Sequence, residues 1–266
     1  MEENDILKKQ LDGHVGTLTL NRPERQNALS PDLLIKIHLA LKDWEAREAV
    51  RVVVITGGEG RAFSSGYEIA AIPTRVTEEE KELLKQANPL ELALSTVKNF
   101  PYPTIAMMNG HAFGAGLNLC MCCDIRIAAD DIKVGMPPAK LGLVYHPEGL
   151  RQFLEVIGMA RTREVFFTGR TYEGRELREM GLADHLVPRS DLKATVYKMA
   201  DEIAANAPLS LKGIKKILNF FGSSLRIGPE ELQEAERIIT EAFNSQDLKE
   251  GQAAFFEKRR PVFKGN

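Results

Sequence analysis

Little in this chain is set aside for cross-linking. Its 266 residues include only three cysteines, and Cys120, Cys122 and Cys123 crowd into one segment. A disulfide framework would need more partners, and a zinc site would need a second ligand cluster at suitable spacing. The three are therefore read as buried helix thiols, with no metal site. Long apolar runs are also lacking. Charges interrupt every one, which excludes a membrane-spanning helix of about 20 residues. An excess of one charge is lacking too: 35 Lys and Arg face 37 Asp and Glu, for a formal net charge of -2. A dedicated nucleic-acid binder would need a basic face to displace counterions, so nucleic acid is not an expected partner. The opening MEENDILKKQ starts acidic and carries no apolar signal core. No secretory signal is expected, and the expected compartment is the cytoplasm. Internal repeats and low-complexity linkers are absent as well.

What is present reads as an α/β protein. Hydrophobic residues make up 44% and charged residues 27%, ordinary values for a globular chain. HVGTLTLNRPE alternates into a Pro-marked turn and predicts a strand. SPDLLIKIHLALKDWEA predicts an amphipathic helix with Ser30 as N-cap and Pro31 at its first position. VRVVVITGGEG is a β-branched run stopped by glycines and predicts a buried strand. TIAMMNGHAFG and DIRIAAD predict two more, and EGLRQFLEVIGMARTREVFFTGR predicts helix, break, helix. Residues 75–99 read as a charged run leading into a helix. From about residue 190 onward the pattern is helical, and the chain is divided into a core over 1–200 and a helical region over 201–266. Strands alternating with helices define the class.

Two segments share one logic. RAFSSGYEI follows the strand ending at Thr56, and HAFGAGLNL follows the strand ending near Asn109. In each, small residues allow a sharp turn before a helix. The first amides of a helix lack intrahelical partners and carry the positive end of its dipole. Two such turns, if they face each other, present two N–H groups to one oxygen, which is an oxyanion hole. Spacing alone leaves open the alternative that the glycines serve only close helix–strand packing.

NRPERQNALS, AFSSGYEI, NGHAFGAGLNLCMCCDIRIAAD, AKLGLV and the closing EGQAAFFEKRRPVF together resemble the crotonase (enoyl-CoA hydratase/isomerase) superfamily over essentially the whole chain. The resemblance implies a spiral of ββα turns with a helical C-terminal region used in trimer assembly, as homotrimer or hexamer. It implies an acyl-CoA thioester as substrate, with coenzyme A part of that substrate and no separate cofactor. The thioester carbonyl would lie between the backbone amides of Tyr67 and Ala115. Arg25, Ala28, Ser65, Ile69, Phe255 and Lys258 match family positions that contact the nucleotide, the pantetheine or the thioester.

Hydratases of this family use two glutamates. Their positions match Asn118 and Pro138, so both acid/base carboxylates are absent here. Hydration needs a base for water and an acid for the α-carbon, and neither an amide nor a proline supplies one near neutral pH. A 2-carboxyacyl thioester needs no base, because losing CO2 itself delivers the enolate. The stretch LGLVYHPEGL resembles the methylmalonyl-CoA decarboxylase-like members, which carry a tyrosine at the position of Tyr145. Those members have histidine at Tyr67, glycine at Ala115 and glutamate at Asn118. The expected reaction is therefore decarboxylation of a methylmalonyl-CoA-like substrate. Tyr145 would orient the carboxylate or donate a proton, His146 is the alternative donor, and Asn118 would hydrogen-bond without repelling. The alternatives are a hydratase or isomerase with its acid/base pair moved to His146 and Glu148, and a non-catalytic acyl-CoA-binding relative. His14, His38, His111 and His185 are assigned no role.

Overall fold

The computed structural model describes residues 5–68, 88–222, 225 and 227–265. Ile69 and most of the charged run within 75–99 lie outside them.

Two sheets stand on the backbone. The six-stranded one has the order β1-β2-β3-β5-β7-β10, formed by Leu7–Asp12, Val15–Leu20, Val52–Thr56, Thr104–Met108, Ile125–Ala129 and His185–Val187. The four-stranded one has the order β4-β6-β8-β9, from Ala62–Ser64, His111–Phe113, Lys133–Gly135 and Thr171–Glu173. Successive strand pairs β3/β4, β5/β6 and β7/β8 each send one strand to each sheet. This repeated step is the ββα spiral. Parallel pairing links β2, β3, β5, β7 and β10, while the β1/β2 and β8/β9 pairs are antiparallel.

Burial explains the strand sequences. All five residues of β3, VVVIT, and all five of β5, TIAMM, are buried, as a parallel sheet covered on both faces requires. Helix α1 (Pro31–Ala46) packs on α2 (Pro89–Asn99), and α6 (Arg189–Ala204) runs along β2, β3, β5 and β7. The Ser30 hydroxyl accepts from the Leu33 amide at 3.4 Å, with Pro31 in the first turn, the expected cap. Gly158 interrupts α4 (Pro147–Thr168) at φ +72°, the expected break. TIAMMNGHAFG reads as a strand ending in glycines, near Asn109, and β5 ends at Met108. In the structure the segment divides at Asn109–Gly110 into β5 and β6, which belong to different sheets.

The remaining helices are α3 (Ala115–Cys122), the short α5 (Glu176–Glu179), α7 (Pro208–Gly222), α8 (Pro229–Asn244) and α9 (Gln246–Phe256). After Ala204 no further strand appears among the described residues. The buried Lys215 ammonium ties α7 to the core, donating to Asp124 at 2.6 Å and to the Tyr102 carbonyl at 2.9 Å. Burial nonetheless depresses its pKa. Helix α9 packs on the 3₁₀ turn Pro138–Leu141. No helix among the described residues is long and apolar enough to cross a membrane.

Candidate active site

Two loops are first pinned in place by buried asparagines. The Asn27 amide donates to the carbonyls of Gly57 and Ala62, both at 3.0 Å, and its oxygen accepts from the Arg22 amide at 2.9 Å. Asn109 accepts from the Thr56 hydroxyl at 3.0 Å and the Gly57 amide at 2.8 Å, and donates to the Gly60 carbonyl at 3.0 Å. Together they fix the connections from β3 to β4 and from β5 to β6, and the two glycine turns follow β4 and β6.

Those turns face each other. A Cβ built on Gly66, which has φ +105°, would lie 2.8 Å from the Phe113 carbonyl oxygen and 3.6 Å from the Ala115 nitrogen. One built on Gly116 would lie 2.7 Å from both Cβ and O of Ser64. Only residues without a side chain permit this approach. Ala115 opens α3, so its amide has no intrahelical acceptor. Tyr67 forms a parallel bridge with Leu29, but the bonds of that bridge run from the Leu29 amide to the Gly66 carbonyl and from the Glu68 amide to the Leu29 carbonyl. The Tyr67 amide is thus left outside the ladder. Among the described residues, neither the Tyr67 nor the Ala115 amide donates a hydrogen bond within the chain.

One helical turn beyond Ala115 lies a buried polar relay. The Tyr145 hydroxyl donates to Asn118 Oδ1 at 2.8 Å. Asn118 Nδ2 donates to Gln152 Oε1 at 2.6 Å, and the Cys122 thiol donates to the same oxygen at 3.1 Å. Asn118, Gln152 and Cys122 are buried, and Tyr145 is partly buried with its ring tilted against Phe166 at 5.4 Å. Burial pushes the Tyr145 phenol far above its ordinary value, with Cys122 adding to it. The same cause raises the Tyr67 phenol, and Glu68 adds to it. No member of the relay carries a charge near neutral pH. Asn118 has both its oxygen and its nitrogen engaged inside the protein.

His146 and Glu148 have other partners. His146 caps α4, its Nδ1 accepting from the Glu148 amide at 3.3 Å, while Nε2 lies 3.2 Å from the Glu91 carboxylate on α2. Glu148 pairs with Arg151, whose Nε donates to it at 2.9 Å. Arg25 and Ser65 are exposed and adjoin: Ser65 Oγ donates to the Arg25 carbonyl at 3.5 Å, and the Ser65 amide donates to the Gln26 carbonyl at 3.0 Å. The Ala28 carbonyl accepts from Arg22 at 2.6 Å. Arg25, Ala28, Ser65 and Tyr67 therefore border one edge. Phe255 is 54% exposed, and Lys258, with φ +54°, follows it at the end of α9. No hydrogen bond among the described residues joins either to that edge. Pro138 is buried at the start of the 3₁₀ turn beneath α9. Among the described residues no group of three His, Cys, Asp or Glu side chains could hold a metal ion.

Sequence reasoning missed Gln152, Cys122 as a relay member, Glu91, Asn27 and Asn109. A signal existed for one of them: Gln152 is a polar residue beside Phe153, within the buried stretch of α4.

Paired turns on a two-sheet spiral define an acyl-CoA enzyme fold of the crotonase type, and comparison agrees. The family described as Enoyl-CoA hydratase/isomerase matches residues 10–266, and the chain belongs to it. Among relatives, a short-chain-enoyl-CoA hydratase of Clostridium acetobutylicum is 30% identical over 260 residues, covering 98% of this chain and 97% of its own. Among solved structures, a methylmalonyl-CoA decarboxylase complexed with 2S-carboxypropyl CoA superposes with TM-score 0.91 at 26% identity, covering 98% and 99% of the two chains. An enoyl-CoA hydratase/carnithine racemase from Magnetospirillum magneticum is 32% identical with TM-score 0.78, covering 98% and 96%.

Proposed function

We propose that this acyl-CoA enzyme decarboxylates a 2-carboxyacyl thioester of the methylmalonyl-CoA type. The observation that carries the reading is an uncharged relay, Tyr145–Asn118–Gln152–Cys122, one helical turn beyond Ala115, whose amide, like that of Tyr67, donates to nothing within the chain among the described residues. The amides of Tyr67 and Ala115 would take the thioester oxygen. The C–C bond to the carboxylate breaks, CO2 leaves, and the electron pair passes into the thioester as an enolate. Charge thus moves from the carboxylate to the oxygen between the amides, where fixed dipoles stabilise it more than water would. The α-carbon then takes one proton from water, so one proton is consumed for each CO2 released. Tyr145 bounds the carboxylate, and its raised pKa keeps it neutral. An amide at Asn118 adds no negative charge beside the substrate carboxylate.

The relocated hydratase pair gains no support. His146 and Glu148 are committed to a helix cap, to Glu91 and to Arg151. The apolar faces left open on α7–α9 fit a homotrimer, in which Phe255 and Lys258 would reach a neighbour's nucleotide. The test of the reaction is CO2 release from methylmalonyl-CoA by the purified protein, with the acyl product identified by mass. Turnover to propionyl-CoA supports the reading. Recovery of intact substrate, together with hydration of unsaturated acyl-CoAs, would replace it with the hydratase alternative.

A further inference from the structure

The relay can be wired in two directions. In the observed one, four protons have acceptors: the Tyr145 hydroxyl, two on Asn118 Nδ2 and the Cys122 thiol. The Asn118 nitrogen gives one to Gln152 Oε1 at 2.6 Å and directs its second toward Cys122 Sγ at 3.8 Å, a weaker contact. Turning both amides over would make the Gln152 nitrogen the donor. The thiol proton would then exchange an acceptor at 3.1 Å for the more distant Asn118 oxygen, 3.8 Å away, and the Tyr145 hydroxyl would accept from Asn118, leaving its own proton to point outward. Burial raises the Cys122 thiol well above its ordinary pKa, so it keeps its proton and can serve as a donor. Gln152 is buried as well, so water cannot readily replace what it offers.

We infer that Gln152 is a positioning residue whose Oε1, accepting from Asn118 and Cys122 together, turns the donors of Asn118 and Tyr145 inward and leaves the acyl pocket poor in hydrogen-bond donors. This rests on the acyl-CoA reading above and deepens it to a specificity device for a substrate carboxylate. A donor aimed at that carboxylate would stabilise the ground state, which carries the charge there. It would give nothing to the transition state, in which that charge is leaving. Withholding donors therefore raises turnover at the expense of binding. The same arrangement gives the site little means of holding a hydroxyl or a water for addition.

The test separates binding from turnover. Calorimetric titration with two unreactive thioethers, propyl-CoA and 2-carboxypropyl-CoA, gives the preference for a carboxylate as a ratio of Kd values. In Gln152→Met the relay is free to reverse. Preference for the carboxylated thioether should rise about tenfold, roughly the worth of one hydrogen bond to a charged group. The turnover number for CO2 release should fall while KM falls with it. A residue that only supports the fold would raise KM or leave the ratio alone. Cys122→Ala removes one of the two donors on Gln152 and should move the ratio the same way by a smaller factor, about threefold. Cys122→Ser keeps a donor and should stay at the wild-type ratio. An unchanged ratio in Gln152→Met overturns the inference, and so does an unchanged ratio in Cys122→Ala where the first variant does not fold. A shifted ratio in an enzyme that releases no CO2 leaves the inference standing and removes the decarboxylase reading. Failure of the wild type to bind either thioether overturns both.

Discussion

Replacing Gly66 with alanine probes the contact on which the candidate site rests. The new Cβ would stand 2.8 Å from the Phe113 carbonyl oxygen and 3.6 Å from the Ala115 nitrogen. The first distance lies inside van der Waals contact with backbone, so the two turns must separate. Overpacking of this kind costs about 1–3 kcal/mol. The φ of +105° adds backbone strain of about 1–3 kcal/mol for a residue with a side chain. The sum is about 2–6 kcal/mol, which at about 2–4 °C per kcal/mol lowers the thermal midpoint by about 4–24 °C in a chain of this size. Gly13→Ala is the reference. Its φ is +53°, but no atom lies within 4 Å of the new Cβ, so only strain of about 1 kcal/mol remains, or about 2–4 °C. Scanning calorimetry of the two variants measures the difference. CO2 release by Gly66→Ala should fall about 100-fold or more, the scale on which an oxyanion hole loses one donor, because the amides no longer converge. Equal midpoints for the two variants, with turnover undiminished in Gly66→Ala, would refute the argument that these turns face each other.

Tyr145→Phe leaves Asn118 Oδ1 buried without its donor and should cost about 1–3 kcal/mol in denaturant unfolding; no loss would mean that the hydroxyl is not part of the relay. All three thiols are free and buried, and burial raises Cys123 to about 12 and the other two well above their ordinary value. A thiol reagent at pH 8 should label none in the native protein and three in denaturant. Because these folded pKa values lie above the unfolded ones, the thiol contribution to stability is complete below about pH 8.5. It is lost as pH rises toward 12, so unfolding curves recorded at pH 8 and pH 10.5 should differ in that sense. On α7, Ile214, Ile217 and Leu218 are 59%, 55% and 61% exposed, a stripe that a monomer has little reason to leave open. On the homotrimer proposed above, Ile217→Lys should lower the mass in sedimentation while far-UV circular dichroism keeps its helical signal; an unchanged mass would remove this face from the proposed interface.

The core of the large sheet was legible because its signal is local. VVVIT and DIRIAAD are short β-branched or apolar runs, and a strand buried on both faces needs nothing further to declare itself. The cap at Ser30 and the break at Gly158 were legible for the same reason, each being decided by one residue and its neighbours in sequence. The strands of the small sheet were not. Ala62–Ser64, Lys133–Gly135 and Thr171–Glu173 span three residues each, too few to show a period, and only the partners brought alongside make them strands. The presence of two glycine turns, and the neutral residues Asn118 and Pro138, could be read directly from the chain. Whether those turns meet could not be, since Gly66 and Ala115 are held together by the way β4 and β6 pair. The relay lies furthest from the sequence. Gln152 stands 34 residues beyond Asn118, and what makes it matter is burial. In water its amide would bond in either direction, whereas in the interior the few available donors and acceptors decide which way it turns.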